Sequence, residues 1–179
     1  RVDFESFFLK PTELITNGEF TSNITSWTNA TTGAVGGGTP AYNSGGNGRL
    51  RLNDAAVSQA ITTVKNKTYK VQVRVIDSAS GGSSLAVKIG NAAHATTDLN
   101  ATLTVTNYGE GNILDTTFTA SQVATYITVI NSDSNNMDVD YIRVSRSDIA
   151  PKKLAHITYD TYLQTNKVAD DVNNSSAFG

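Results

Sequence analysis

The groups in this chain that could do covalent chemistry are few and scattered. Its two histidines, His94 and His156, lie far apart, with no metal-ligand spacing and no nucleophile motif beside either. There is no cysteine, so thiolate chemistry and a disulfide framework are both excluded. Asp77, Asp98, Asp115 and Asp133 lie mostly in expected turns, and nothing in their spacing singles out a pair for glycoside hydrolysis. The run Gly36-Gly37-Gly38 lacks the Lys-Ser/Thr of a phosphate loop and the spacing of a dinucleotide fingerprint. The chain does not read as an enzyme.

What remains is the chemistry of recognition. Tyr42, beside Pro40, and Tyr108, beside Gly109, stand in polar, glycine-rich stretches where an exposed ring could stack on the apolar face of a sugar. Trp27, the single tryptophan, could serve the same purpose or close the core beside Phe20. Burial of large aromatics favours the second role. Arg49 and Arg51 alternate with Leu50 and Leu52, so both face away from the core, where they could donate to hydroxyls or simply be solvated.

The elements that must position these groups follow a two-residue period, and helical spacing is nearly absent. Thr68 to Ile76 places Tyr69, Val71, Val73 and Val75 on one face and Lys70, Gln72 and Arg74 on the other. Ser84 to Ile89 repeats the pattern, and the Ser/Gly cluster from Asp77 to Ser83 predicts a hairpin joining the two. Further strands are expected at 49–52, 56–62, 101–106, 113–119, 123–130 and 139–145. Thr31 to Gly48 reads as one long loop, flexible or ligand-facing. Many short strands punctuated by turns indicate an all-β protein, an antiparallel β-sandwich or jelly roll. Prolines at Pro11 and Pro151 set off β-rich flanks. The expected organisation is therefore an N-terminal flanking strand at 1–12, a central module at 13–147, and a C-terminal segment at 148–179 that is a strand followed by a short helix or disorder.

Composition narrows the partners. With 14 Lys and Arg against 16 Asp and Glu, the net charge is −2 and 17% of residues are charged. No basic stripe exists to neutralise phosphates, so nucleic acid is not an expected partner. No apolar run approaches the roughly 20 residues of a membrane span. The 179 residues begin at Arg1, and the chain reads as a piece of a longer polypeptide.

Three motifs in order carry a resemblance. Asn17-Gly18-Glu19-Phe20-Thr21 with Ser26-Trp27 comes first; Val57 to Ile61, Asn66-Lys67 and Thr68 to Val73 follow; Asp140-Tyr141-Ile142-Arg143-Val144 closes. Together they resemble the galactose-binding-like jelly rolls that occur as carbohydrate-binding modules in phage tail fibres and appendages and in secreted glycoside hydrolases. The resemblance spans about residues 13 to 147. It implies a non-catalytic glycan-binding or adhesion module, displayed in a virion or outside the cell. The implied partners are surface glycans or polysaccharide and other subunits of the assembly, with a homo-oligomer supplying avidity. The alternatives are a purely structural virion component and an accessory module of a secreted hydrolase. The resemblance also implies a structural Ca2+ held by the closing Asp140 and by the acid after the Phe. Here Thr21 stands at that acidic position and Glu19 is the acid nearby, so the expected ligands are Asp140, Glu19 and Thr21. The expected role of Gly18 is a tight turn into a first strand, with Phe20 plugging the core.

Overall fold

Alternation builds the strands. In β5 (Thr68–Ser78), Tyr69, Val71, Val73 and Val75 are buried while Lys70, Gln72 and Arg74 are half-buried. The computed structural model describes residues 12–32, 37–45, 48–78, 83–105 and 111–147. The expected flanks, apart from Thr12, and Tyr108 lie outside the described residues. The other strands are β1 (Thr28–Asn29), β2 (Ala41–Asn43), β3 (Arg49–Leu52), β4 (Ala55–Thr62), β6 (Ser84–Gly90), β7 (Leu99–Thr104), β8 (Asn112–Thr119), β9 (Ala124–Asn131) and β10 (Met137–Arg146). Among the described residues there is no helix.

Two five-stranded antiparallel sheets result, in the orders β1-β4-β9-β6-β7 and β2-β3-β10-β5-β8. We call them the β9 sheet and the β10 sheet after their central strands. Leu50, Leu52, Val71, Val73, Ile142 and Val144 from the β10 sheet share one core with Val57, Leu85, Val87, Ile89, Ile127 and Val129 from the β9 sheet. Each such side chain contributes about 1.5–3 kcal/mol on burial. The protein is the all-β antiparallel sandwich that the alternation predicts.

The predicted hairpin does not form. β5 pairs with β10 and β8, whereas β6 pairs with β7 and β9, so the chain crosses between sheets after Ser78. The apolar faces of β5 and β6 meet through the core instead of lying side by side. The Thr31 to Gly48 stretch is also less uniform than expected, because it contributes the edge strand β2.

The start and the finish of the described body lie together. Glu13 bridges to Ser145, Leu14 N donates to Val144 O at 2.8 Å, and Ile142 N donates to Gly18 O at 2.9 Å. Phe20 and Ile142 are both 0% exposed members of the same core. The segment from Asn17 to Ser26 is nevertheless a loop and not the expected strand. Asn17 (φ 54°), Phe20 (φ 48°) and Ser26 (φ 76°) are all left-handed, and for a bulky residue such as Phe this costs about 1–3 kcal/mol. Burial of the Phe20 ring against Trp27, 5.8 Å between centroids, offsets it. Gly18 is needed for a different reason from the expected one. Its φ is not left-handed, but a Cβ there would strike the Ile142 carbonyl.

Candidate functional site

Each sheet presents an outer face, and the two differ in chemistry. On the β10 sheet, Arg49 and Arg51 point outward as expected and converge on Asp138. Arg51 grips it with two bonds, Nε to Oδ1 at 2.8 Å and Nη2 to Oδ2 at 2.9 Å. Asn43 Nδ2 donates to Oδ2 at 2.7 Å, and Arg49 Nη1 stands 3.8 Å away. These partners leave Asp138 2% exposed. Further along, Arg74 pairs with Asp140 at 3.1 Å, Lys70 with Asp115 at 2.9 Å and Arg143 with Glu19 at 2.6 Å. Hydrogen bonds from Lys70 and then Gln72 hold the Asp115 carboxyl below the ordinary carboxylate range. Arg143, its guanidinium pushed further up chiefly by the bond to Glu19, also lies 4.1 Å from the Tyr141 ring centroid. This face is a lattice of matched charges.

The lattice bears on the expected calcium ligands. Asp140 faces the Arg74 guanidinium, Glu19 faces that of Arg143, and the Thr21 carbonyl accepts from Tyr42 Oη at 3.2 Å. Among the described residues no group of three or more His, Cys, Asp or Glu could hold a metal ion. In this arrangement an arginine already neutralises each of the two carboxylates. Glu19 and Thr21 lie in a loop and not on a strand. Asp138 and Ile142 lie on opposite faces of β10. A bulge between Val139 and Tyr141 lets both Val139 and Ile142 point into the core.

The expected aromatic platforms are placed as follows. Trp27 is buried against Phe20, with Nε1 donating to Asn17 O at 3.2 Å, which is the core-closing role. Tyr42 sits on edge strand β2 with its hydroxyl engaged by Thr21.

The outer face of the β9 sheet carries a cleft of about 430 Å³. Its floor is made of small residues around one ring. Tyr126 on β9 stands opposite Ala60 on β4 and Gly90 on β6, and its same-face neighbours along the strand are Ala124 and Thr128. None of these has the bulk to cover the ring, which is half-buried. One wall is Thr28 to Thr32, paired to β4 through Thr28↔Ser58 and Asn29↔Val57. The other wall carries Ala93 and His94 from the connection between β6 and β7. That connection lies down over β6, since a Cβ on Gly90 would run into Ala95 and Thr97. His94 adopts φ 65°, its backbone N donates to Thr128 Oγ1 at 2.9 Å, and its Nε2 meets Ala30 O at 2.6 Å. A carbonyl can only accept, so the ring carries its proton on Nε2. The cleft lining has hydroxyls, one carboxamide, one imidazole and one phenol ring, and no Asp, Glu, Lys or Arg. Such a surface can stack one apolar ring face and exchange hydrogen bonds with neutral hydroxyls.

No protein-family model matches the sequence, and no curated protein matches it significantly. Solved structures do match the fold. A candidate sugar-binding protein from Bacteroides thetaiotaomicron superposes with a TM-score of 0.62 at 9% identity, over 76% of this chain and 100% of its own. A carbohydrate-binding module CBM4 superposes at 0.59 and 17% identity, over 74% and 99%. This chain has the fold of a carbohydrate-binding module. The enzymatically active domain of tailspike protein 4 from bacteriophage CBA120 contains a similar body, at a TM-score of 0.53 and 15% identity over 75% of this chain but 21% of that one.

Of the described residues expected to bind sugar, Trp27, Tyr42, Arg49 and Arg51, none lines the cleft, whereas His94 and the first two residues of the expected flexible or ligand-facing loop, Thr31 and Thr32, do. The cleft belongs instead to Tyr126, Ser58, Ala60, Asn29 and His94. Tyr126 hides in an unbroken β-forming run, Ala124 to Ile130, in which apolar residues occupy both faces. No period-2 argument can then say which side is outward. Its small neighbours come from β4 and β6, and only the register brings them to it.

Proposed function

We propose that this chain is a non-catalytic glycan-binding module of an extracellular or virion surface protein, and that the cleft on the β9 sheet is its site. The observation that carries the reading is Tyr126, a lone ring on a floor of Ala60, Gly90, Ala124 and Thr128, walled by hydroxyls and a carboxamide. An uncharged lining matches a neutral sugar, since an acidic one would leave its carboxylate desolvated without a cation. The non-catalytic part is supported by the engagement of the cleft's polar groups. Ser58 Oγ donates to Ile127 O at 3.1 Å and is 4% exposed, so it is not poised as a nucleophile, and the lining holds no carboxylate to orient His94 as a base. Placement in a phage tailspike or fibre, with neighbouring subunits and avidity from a homo-oligomer, is supported by the body in the tailspike domain.

The rival to the cleft is the surface around Arg49 and Arg51, whose partly exposed guanidiniums could donate to sugar hydroxyls, and binding there would displace the cleft as the site. Calcium enters only as a further proposal at Asp140, Glu19 and Thr21, and it requires Arg74 and Arg143 to release their carboxylates. A melting temperature lowered by EDTA and restored by Ca2+ supports it, and no change removes it.

A glycan array probed with a multimerised form of the full chain tests the main reading. Signal on neutral polysaccharides is the expected result. Silence across bacterial, plant and host glycans favours a purely structural role.

A further inference from the structure

The outer face of the β9 sheet is laid out in rows by its register, and the rows are not equally accessible. One row is Gly90, Tyr126 and Ala60; the next is Lys88, Thr128, Ser58 and Thr28; the third is Ala86, Ile130, Ala56 and, through its N–H to Ala56 O at 2.9 Å, Ala30. His94 crosses this pattern. Its backbone is fixed to Thr128 on β9 and its ring reaches Ala30 beyond β4, so the side chain lies across the β4 strand between them. Adjacent strands are about 4.8 Å apart, and an imidazole side chain is long enough for that crossing. Ser58 beneath it is 4% exposed although it points outward. The third row is sealed as well: Ala56 is 0% and Ile130 4% exposed, and they form a small separate apolar cluster with Ala30. In the opposite direction Ala60, Thr62 and Ala124 are all exposed.

From this arrangement we infer that the cleft is a dead end, dammed by His94, and that it takes the terminus of a neutral glycan chain and not an internal stretch. A chain entering from the Thr62 and Ala124 side meets Tyr126 first and stops at the imidazole. The β6 side offers no way past, because Ala95 and Thr97 already occupy the space above Gly90. A polysaccharide lying along the face would need a continuous trough, and the His94 to Ala30 contact and the sealed third row interrupt it. Lys88, the charged residue in the middle row, does not line the cleft, so the end group it accepts is uncharged. This inference rests on the glycan-binding reading above.

The test uses the full chain and four neutral soluble polymers: xylan, mannan, mixed-linkage β-glucan and starch. Binding capacity per gram is measured by depletion before and after mild acid cleavage that doubles the number of chain ends. For each polymer that binds, the inference predicts that capacity doubles with the ends, and that a hexasaccharide of the same sugar competes fully. A capacity that stays constant or falls on cleavage places the protein along the chain and overturns the inference while leaving glycan binding intact. Binding to none of the four, together with a silent array, overturns both.

Discussion

The two outer faces of this sandwich are built on the same backbone plan and do opposite things with it. The β10 face spends its outward positions on charge. Arg49, Arg51, Lys70, Arg74 and Arg143 stand there, and the structure matches them with Asp138, Asp115, Asp140 and Glu19. The β9 face, apart from Lys88 and Ile130, spends the equivalent positions on Ala, Ser, Thr and Gly and leaves one ring uncovered. A face whose charges satisfy one another has little left to offer a ligand. A cleft kept small and free of charge has room for one. On the proposed reading, a neutral-ligand site is made by withholding bulk and charge as much as by placing an aromatic.

Exchanging Tyr126 for Ala should break the β9 side of the comparison with the largest effect. As the anchor of the cleft it should cost about 2 kcal/mol or more of binding, roughly a thirtyfold loss in titration calorimetry. The melting temperature should stay close to that of the parent, because the ring is not part of the core cluster. An unchanged affinity would move the site elsewhere.

Asp138→Ala probes the other face. Arg51, Asn43 and Arg49 lose a common acceptor, but both guanidiniums are partly solvated, so stability should fall by about 1–3 kcal/mol in denaturant melts. Glycan affinity should not change. If binding fell along with stability, the two faces would not be independent.

Salt sharpens the contrast more gently. Raising it from about 0.1 M to about 1 M shortens the screening length from roughly 10 Å to roughly 3 Å. Affinity at an uncharged cleft should be unaffected, and a steep loss would point to the arginines.

The smallest effect is a titration. Because Lys70 and Gln72 hold the folded Asp115 pKa below 3.8, its small contribution to stability is present above that value and fades as pH falls through the lowered one. In Lys70→Ala the carboxyl resonance should titrate at higher pH than in the parent. No movement would mean that the pair is not formed in solution.

Most of the fold was legible in the chain because strands carry their burial in local alternation: Val71, Val73 and Val75 announce the core face of β5, and Leu50 and Leu52 that of β3. The meeting of Phe20 with Ile142 was legible through the motifs at the two ends. Pairing partners were not. The turn-rich stretch after Ile76 looks like a hairpin, yet it carries the chain to the other sheet, and nothing local separates those outcomes. The site was hidden for the same reason. Arg51 shows its outward direction in sequence, but its acceptor Asp138 is found only through the register of β3 with β10. Tyr126 shows neither its direction nor its company.

The central claim, that the uncharged cleft binds and the charged face does not, is tested most directly by mapping backbone amide shifts while xylohexaose, mannohexaose, cellohexaose and maltohexaose are titrated in turn. The account predicts that the sugar that binds perturbs Thr28 to Thr32, Ser58 to Ala60, Ala93, His94 and Tyr126, and leaves Arg49, Arg51, Asp138 and Arg143 still. Shifts centred on Arg49 and Arg51, with Tyr126 unmoved, would contradict it.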